Sequence, residues 1–329
     1  MHRSTRIGIV GCGEIARRHL QAYTEAGGAE IVAVYDLSHA GAAAFAQTAG
    51  ARQAASIGEM IERDRLDAVS VCTPPAVHLE NCRPFLEAGI PVLCEKPLEI
   101  NAERAVQLAD AAKKGGAFLM PAFCHRFQPA IIELKKVIDE GLLGRPLFFR
   151  NLFGGYVPLE GNHRTDPKRS GGGVIIDNCS HSVDLFRHLV GEPVRVQAMG
   201  GTVMQEIAVE DFGMLHLAAE NGSYGEISSS YSFKVCGNWV EWYGTQGTAI
   251  VSYGNDGVPD LAYRVDGSEE WVTPDCGRHP ERFVGEIAHF LGLVRGNDAP
   301  QVQAADGVQC ARVIDAAYQS AATGQTIAL

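Results

Sequence analysis

Short apolar runs alternate with helix-length stretches through the first 123 residues. Arg6–Val10 and Glu30–Tyr35 predict two strands, a short third lies near Arg52–Ala54, and Asp67–Thr73, Pro91–Cys94 and Ala117–Phe123 predict three more. Helices fill the gaps: one running to about Glu25, one over 39–49, one after the capping box Ser56-Ile57-Gly58-Glu59, one over 77–88 closed by Gly89, and one from Asn101 to Lys114. Strands separated by helices predict a doubly wound parallel sheet. After Phe123 the pattern changes. A helix is expected over 129–140 and a strand over 147–153, followed by a long Gly-rich, charged loop over 154–170. Polar–apolar alternation then predicts strands near 194–199, 211–219, 223–231, 239–243, 247–252, 261–265 and 270–273. Two helices, 281–295 and about 304–323, close the chain. The fold class expected is α/β: a parallel doubly wound domain over 1–123, then an α+β domain over 124–329. The second carries a large open, mostly antiparallel sheet, and the last helix packs back on the first domain.

Composition narrows the partners. The 329 residues carry 28 Lys and Arg against 39 Asp and Glu, a net charge of −11. That argues against nucleic acid or an anionic membrane surface as the main partner and leaves room for a small-molecule substrate. Nine scattered cysteines with no Cys-x-x-Cys read as reduced thiols in a cytoplasmic protein, and no metal site is expected. The first strand begins within a few residues of Met1, so no signal peptide is expected, and no apolar run has the length of a membrane span.

Chemistry gathers at the predicted strand ends. Gly11-Cys12-Gly13-Glu14-Ile15-Ala16 fits G-x-G-x-x-G/A between a strand and a helix. Gly11 would make the tight turn, Gly13 would admit a pyrophosphate, and Ala16 would let the helix pack. Asp36 ends the second strand about 20 residues later, placed to bind ribose hydroxyls, and Leu37 and Ser38 offer no Arg for a 2′-phosphate. NAD is favoured over NADP. Thr73, Glu95-Lys96 and Cys124-His125-Arg126 fall at the same edge, where ligands bind in such sheets. In the second half, Gly171-Gly172-Gly173 run into a helical stretch on which Asp177, His181 and Asp184 recur at i, i+4 and i+7, hence on one face. Two readings stand: a catalytic wall in which the carboxylate orients the imidazole, or a helix-end aspartate and a satisfied core histidine. The glycines admit another molecule or another stretch of backbone.

These motifs together resemble the glucose-fructose oxidoreductase / inositol dehydrogenase / MocA (Gfo/Idh/MocA) family of NAD(P)-dependent oxidoreductases, over almost the whole chain. The carriers are residues 8–16, Cys72-Thr73-Pro74-Pro75 with His78, Glu95-Lys96-Pro97, His125-Arg126-Phe127, and the Gly171–Asp184 run. Gly244–Thr248 and Asp306-Gly307 also fit. The resemblance implies a Rossmann fold in the first domain and a catalytic group of Lys96, Asp177 and His181, with the Asp177 helix against the nicotinamide edge. It also implies a cis Lys96–Pro97 peptide and an open sheet used to form homodimers or homotetramers. The cofactor set it implies is Gly11, Gly13, Glu14, Ile15, Asp36, Leu37, Thr73, Pro74, His78, Glu95 and Lys96. Arg126, His163, Arg164 and Asn178 are candidates for substrate hydroxyls. His163 stands where relatives often carry Trp, which sets the substrate apart from those of the best-known members.

The activity expected is hydride transfer between nicotinamide and a secondary alcohol of a sugar or inositol-like cyclic polyol. His181 takes the hydroxyl proton, Asp177 steadies the imidazolium and Lys96 holds the oxygen. Three other readings remain: an NAD-dependent glycosidase with transient oxidation, a reductase of keto or nucleotide-linked sugars using Arg164, Lys168 and Arg169, and a non-catalytic NAD(P)-binding sugar sensor.

Overall fold

In the computed structural model, residues 3–235, 237–253, 258–277 and 281–329 are described, apart from the side chain of His163. The chain forms two compact units, Met1–Cys124 with Glu281–Gln309, and His125–Pro280 with Cys310–Leu329.

The first unit holds six parallel strands: β1 (Thr5–Val10), β2 (Ala29–Tyr35), β3 (Arg52–Gln53), β4 (Ala68–Val71), β5 (Val92–Cys94) and β6 (Leu119–Pro121). Their order, β3-β2-β1-β4-β5-β6, reverses direction at β1/β4, the switch point at which such sheets bind ligands. The apolar runs that predict them are buried on both faces: β4 has no exposed position, and Val92, Leu93 and Cys94 are wholly inside. The intervening helices are α1 (Glu14–Ala26), α2 (His39–Ala49), α3 (Ile57–Arg63), α4 (His78–Glu87) and α5 (Ala102–Gly115). Their starts follow the side-chain caps in the sequence. Ser38, Ser56 and Asn101 each accept from an amide three residues on. In the box at Ser56, Glu59 reaches back one residue further than a regular capping box, to the Ala55 amide.

The second unit is built on an eight-stranded sheet: β7 (Pro146–Gly154), β8 (Pro193–Gly201), β9 (Phe212–Ala219), β10 (Tyr224–Ser230), β11 (Trp239–Gly244), β12 (Gly247–Ser252), β13 (Leu261–Val265) and β14 (Ile327–Ala328). The order is β13-β12-β11-β7-β10-β9-β8-β14, antiparallel throughout except for β7 beside β10. Helices α6 (Pro129–Asp139), α7 (Pro167–Ser170) and α8 (Val174–Leu189) belong to this unit, and α8 covers the middle of the sheet at β7, β9 and β10. The alternation follows: Phe149 and Asn151 are buried while Phe148 and Leu152 are partly exposed on the other face, where Arg150 lies between Glu226 and Glu241. Gly225 leaves room for Phe186 of α8, whose ring a Cβ would meet at 2.6 Å.

Three local expectations change. Residues 270–273 form no strand, only an isolated bridge between Val272 and Tyr263, and this exposed stretch packs chiefly by Trp271 over the Arg264 guanidinium. The loop over 154–170 contains a turn at His163–Thr165 and helix α7, started by Asp166 as cap and Pro167 at the first position. Strand β14 was not foreseen, because two residues carry no periodicity; it pairs with β8. Among the described residues eight cysteines stand in no disulfide, Cys236 lying outside them. Among the described residues, no helix is long and apolar enough to cross a membrane.

Candidate active site

The turn after β1 is dictated by its neighbours. Gly11 has φ +88°, and a Cβ there would come within 2.7 Å of the Cys72 carbonyl group and 2.9 Å of the Thr73 nitrogen. Only glycine meets both demands. Gly13, by contrast, has open space around its Cα, and no side chain caps the α1 start. The first amides of α1, from Glu14 and Ile15 onward, are thereby available to an anion, while Ala16 is fully buried and seats the helix. Asp36 sits across this turn. Its two carboxylate oxygens accept from the Cys12 amide at 2.8 Å and the Ser38 amide at 2.7 Å. Each oxygen keeps a further lone pair for a hydroxyl. Leu37 is 90 % exposed beside it. An open glycine turn, uncapped amides and a carboxylate together fit a dinucleotide.

Lys96 follows β5 on a loop fixed from both sides. The peptide to Pro97 is cis, as the resemblance implies. Glu95 pairs with the buried His19 of α1 at 2.9 Å and accepts from the Lys96 amide at 3.1 Å. Burial opposes the charge on His19, but Cys72 and Glu95 outweigh it and raise its pKa to about 10. Beyond Lys96, His78 lies against Pro97 and Leu98 on one side and Thr73 on the other. The Asn81 amide donates to the Thr73 hydroxyl at 3.1 Å, and Pro74 leads into the turn before α4. Of the expected cofactor ligands, His78 is wholly buried among backbone carbonyls, and the Glu95 carboxylate pairs with His19 and accepts from the Lys96 amide.

In the second unit the glycine run before α8 admits backbone. A Cβ on Gly173 would strike the Glu210 carbonyl oxygen. Glu210 in turn caps α8, its Oε1 accepting from the Gly173 and Ile175 amides at 3.0 Å and from the Tyr318 hydroxyl at 2.7 Å. One turn in, Asp177 is partly exposed. Its Oδ2 accepts from the Tyr231 hydroxyl at 2.6 Å and lies 3.2 Å from Nε of Arg164. Burial, then Asp177, pushes the Tyr231 phenol well above its ordinary pKa, so it stays a donor. Asn178, next to Asp177, is half-buried. His181, a turn further, is buried and stacked on His125, with ring centres 4.2 Å apart and planes 19° apart; the Phe153 ring meets both edge-on.

The expected one-face triad divides by role. Asp177 and His181 lie toward the aromatic and hydroxyl groups, whereas Asp184 is sunk in the core. There it takes the Arg126 guanidinium in a forked pair at 2.8 and 2.6 Å, with the two side chains 6 % and 1 % exposed. Arg126, a candidate for substrate hydroxyls, thus has its Nε and Nη2 on a buried carboxylate. His163 opens the turn before α7, and its side chain lies outside the described residues. Tyr231 was missed. The signal was present in the inward register of β10, where Ile227 and Ser229 are buried and the next inward position is a tyrosine that needs a buried partner. His19 was missed as well, since a lone histidine in an apolar helix carries no pattern; His125 was marked at the strand-end edge but given no role.

Comparison with known proteins places this architecture. Residues 5–123 match the oxidoreductase family model with an NAD-binding Rossmann fold, and residues 131–250 match the GFO/IDH/MocA C-terminal domain. The chain is similar to the rhizopine catabolism protein MocA of Rhizobium meliloti, 31 % identical over 95 % of this chain and 94 % of the relative. It is similar also to inositol 2-dehydrogenase 2 of Saccharopolyspora erythraea, 29 % identical over 97 % and 94 %. Among solved structures, the WlbA dehydrogenase of Bordetella pertussis in complex with NADH and UDP-GlcNAcA superposes with a TM-score of 0.85, at 26 % identity over 99 % of both chains. With a glycine-turn nucleotide cradle in one unit, an Asp–His helix in the other and matches along nearly its whole length, the chain belongs to the Gfo/Idh/MocA family of oxidoreductases.

Proposed function

We propose that the protein is an NAD-dependent dehydrogenase acting on a secondary alcohol of a sugar or inositol-like cyclic polyol. Under this reading the first unit is the cofactor domain and the second the substrate domain. The observation that carries it is Asp177, one turn before His181 on α8 and held by Tyr231 and Arg164. Two donors on one carboxylate oxygen favour its anionic form, and an anion one helical turn from an imidazole favours imidazolium. His181 accepts the alcohol proton, Asp177 steadies the charge that results, and Lys96 donates to the oxygen as negative charge develops on it. The nicotinamide, when bound, supplies the hydride acceptor. Gly13 and the α1 amides would cradle the dinucleotide's phosphates, and Asp36 would take the ribose hydroxyls, which with exposed Leu37 favours NAD over NADP.

Named relatives act on inositol, and a structural neighbour binds a nucleotide sugar, which supports a polyhydroxylated substrate. Arg164 and Asn178 are the hydroxyl ligands of this reading. The sheet face bearing Phe148, Leu152 and the Glu226–Arg150–Glu241 row serves a homodimer or homotetramer. The test is NADH absorbance with NAD, and separately NADP, across inositols, aldoses and glycosides. Growth of NADH with a free polyol or sugar is expected. Silence across the panel, with NAD bound to the protein as purified, would contradict it in favour of a glycosidase that returns the hydride.

A further inference from the structure

The most informative group outside the reacting residues is His78. It is wholly buried at the start of α4, and its ring bridges two loops. Nε2 lies 2.8 Å from the Thr73 carbonyl oxygen after β4. Nδ1 lies 3.1 Å from both the Pro97 and the Leu98 carbonyl oxygens, immediately after Lys96. A carbonyl oxygen only accepts, and a neutral imidazole has one N–H and one lone pair. A neutral ring here would turn its lone pair toward a carbonyl oxygen whichever tautomer it adopted, with the Cys94 thiol as a further, weak partner. With a proton on each nitrogen, both sides become donors.

We infer that His78 is a positioning residue for Lys96: it is held as an imidazolium and clamps the loop that follows Lys96 to the end of β4. This rests on the reading of Lys96 as catalytic. The titratable groups facing the ring are Cys94 from β5 and Glu99 from the loop beyond Leu98. Burial by itself drives the ring toward neutrality, and also keeps the Cys94 thiol uncharged; hydrogen bonding to the Cys94 sulfur and the Thr73 carbonyl, with the charge of Glu99, acts the other way and raises the ring's pKa to about 9. Glu99 fixes the same loop from the far side, accepting from the Leu79 and Ile100 amides and from Arg104. Lys96 therefore stands between the His19–Glu95 pair and the His78 clamp, and its backbone has little freedom. The sign follows from linkage. A raised pKa makes the proton a stabiliser fully present below pH ~6.5 and lost as pH rises through about 9.

Two measurements test this. In the full-length wild-type protein, the side-chain nitrogens of His78, assigned through its own backbone, are expected to remain both protonated at pH 8. A single protonated nitrogen at that pH would overturn the charge assignment, and no variant is needed to see it. For positioning, His78→Gln is compared with Lys96→Ala and with the double variant. His78→Gln is expected to lower kcat by about 10- to 100-fold with KM for NAD little changed, as misplacement of a reacting group does. Little further loss is expected in the double variant, because His78 acts through Lys96. Losses that multiply would overturn positioning and mark a general structural role. Full turnover by Lys96→Ala would instead sink the reading beneath it, and leave the two nitrogen signals to decide the charge separately.

Discussion

The loop that carries Lys96 and the loop that carries Arg164 present their cations in opposite ways. The first is short and almost entirely buried. Glu95, Pro97, Leu98 and Glu99 are all inside, and two histidines and Arg104 hold it. The second spans more than a dozen residues, most of them exposed or partly exposed; Leu159 anchors it against Val174 and Tyr231, and Arg164, 41 % exposed, pairs with Asp177 of α8. The difference separates a fixed chemical element from an adjustable one. On the proposed reading, a lysine that must meet one oxygen sits on a clamped backbone, whereas a residue that discriminates among hydroxyl patterns sits where the chain can change without disturbing the core.

The largest effect should come from breaking the buried ion pair in the second unit's core. Asp184→Ala leaves the Arg126 guanidinium charged, buried and without its carboxylate, which should cost about 3–5 kcal/mol. Denaturant unfolding measures it, and a loss below about 1 kcal/mol would mean that the pair is wetter than its burial indicates. The smallest effect should come from the adjustable loop itself. Arg164→Lys keeps the charge but loses the planar fork, so stability should change by less than about 1 kcal/mol while KM for the sugar rises a few-fold. If instead kcat falls and KM holds, Arg164 acts on the reacting centre, and the contrast between the loops fails.

The same contrast explains what could be read in advance. Rigid backbone demands leave marks in sequence: Gly11 against the Cys72 carbonyl, the serine and asparagine caps, Pro97 after Lys96, and the apolar strands of the parallel sheet. The Gly171–Gly173 run was equally visible, although Glu210, which fills the space, lies some forty residues away and could not be named. Side-chain partnerships over long separations left no mark. Arg126 and Asp184 each resembled a site residue, and only the fold shows that they satisfy each other. Tyr231 reaches Asp177 from 54 positions along the chain, and no spacing rule connects a strand end to a helix face. His78 was visible as part of a motif, but the backbone carbonyls that meet its ring nitrogens could not be named.

The proposed alcohol oxidation by Lys96, Asp177 and His181 is tested by single-turnover NADH formation by Lys96→Ala and His181→Ala beside the wild type, on the sugar or polyol with the highest rate, with folding checked by thermal melting. Folded variants with NAD affinity intact and rates reduced by about 10²–10⁴ are expected. Folded His181→Ala protein forming NADH within about twofold of the wild-type rate, against the 10²–10⁴ that a positioned base supplies, would contradict it.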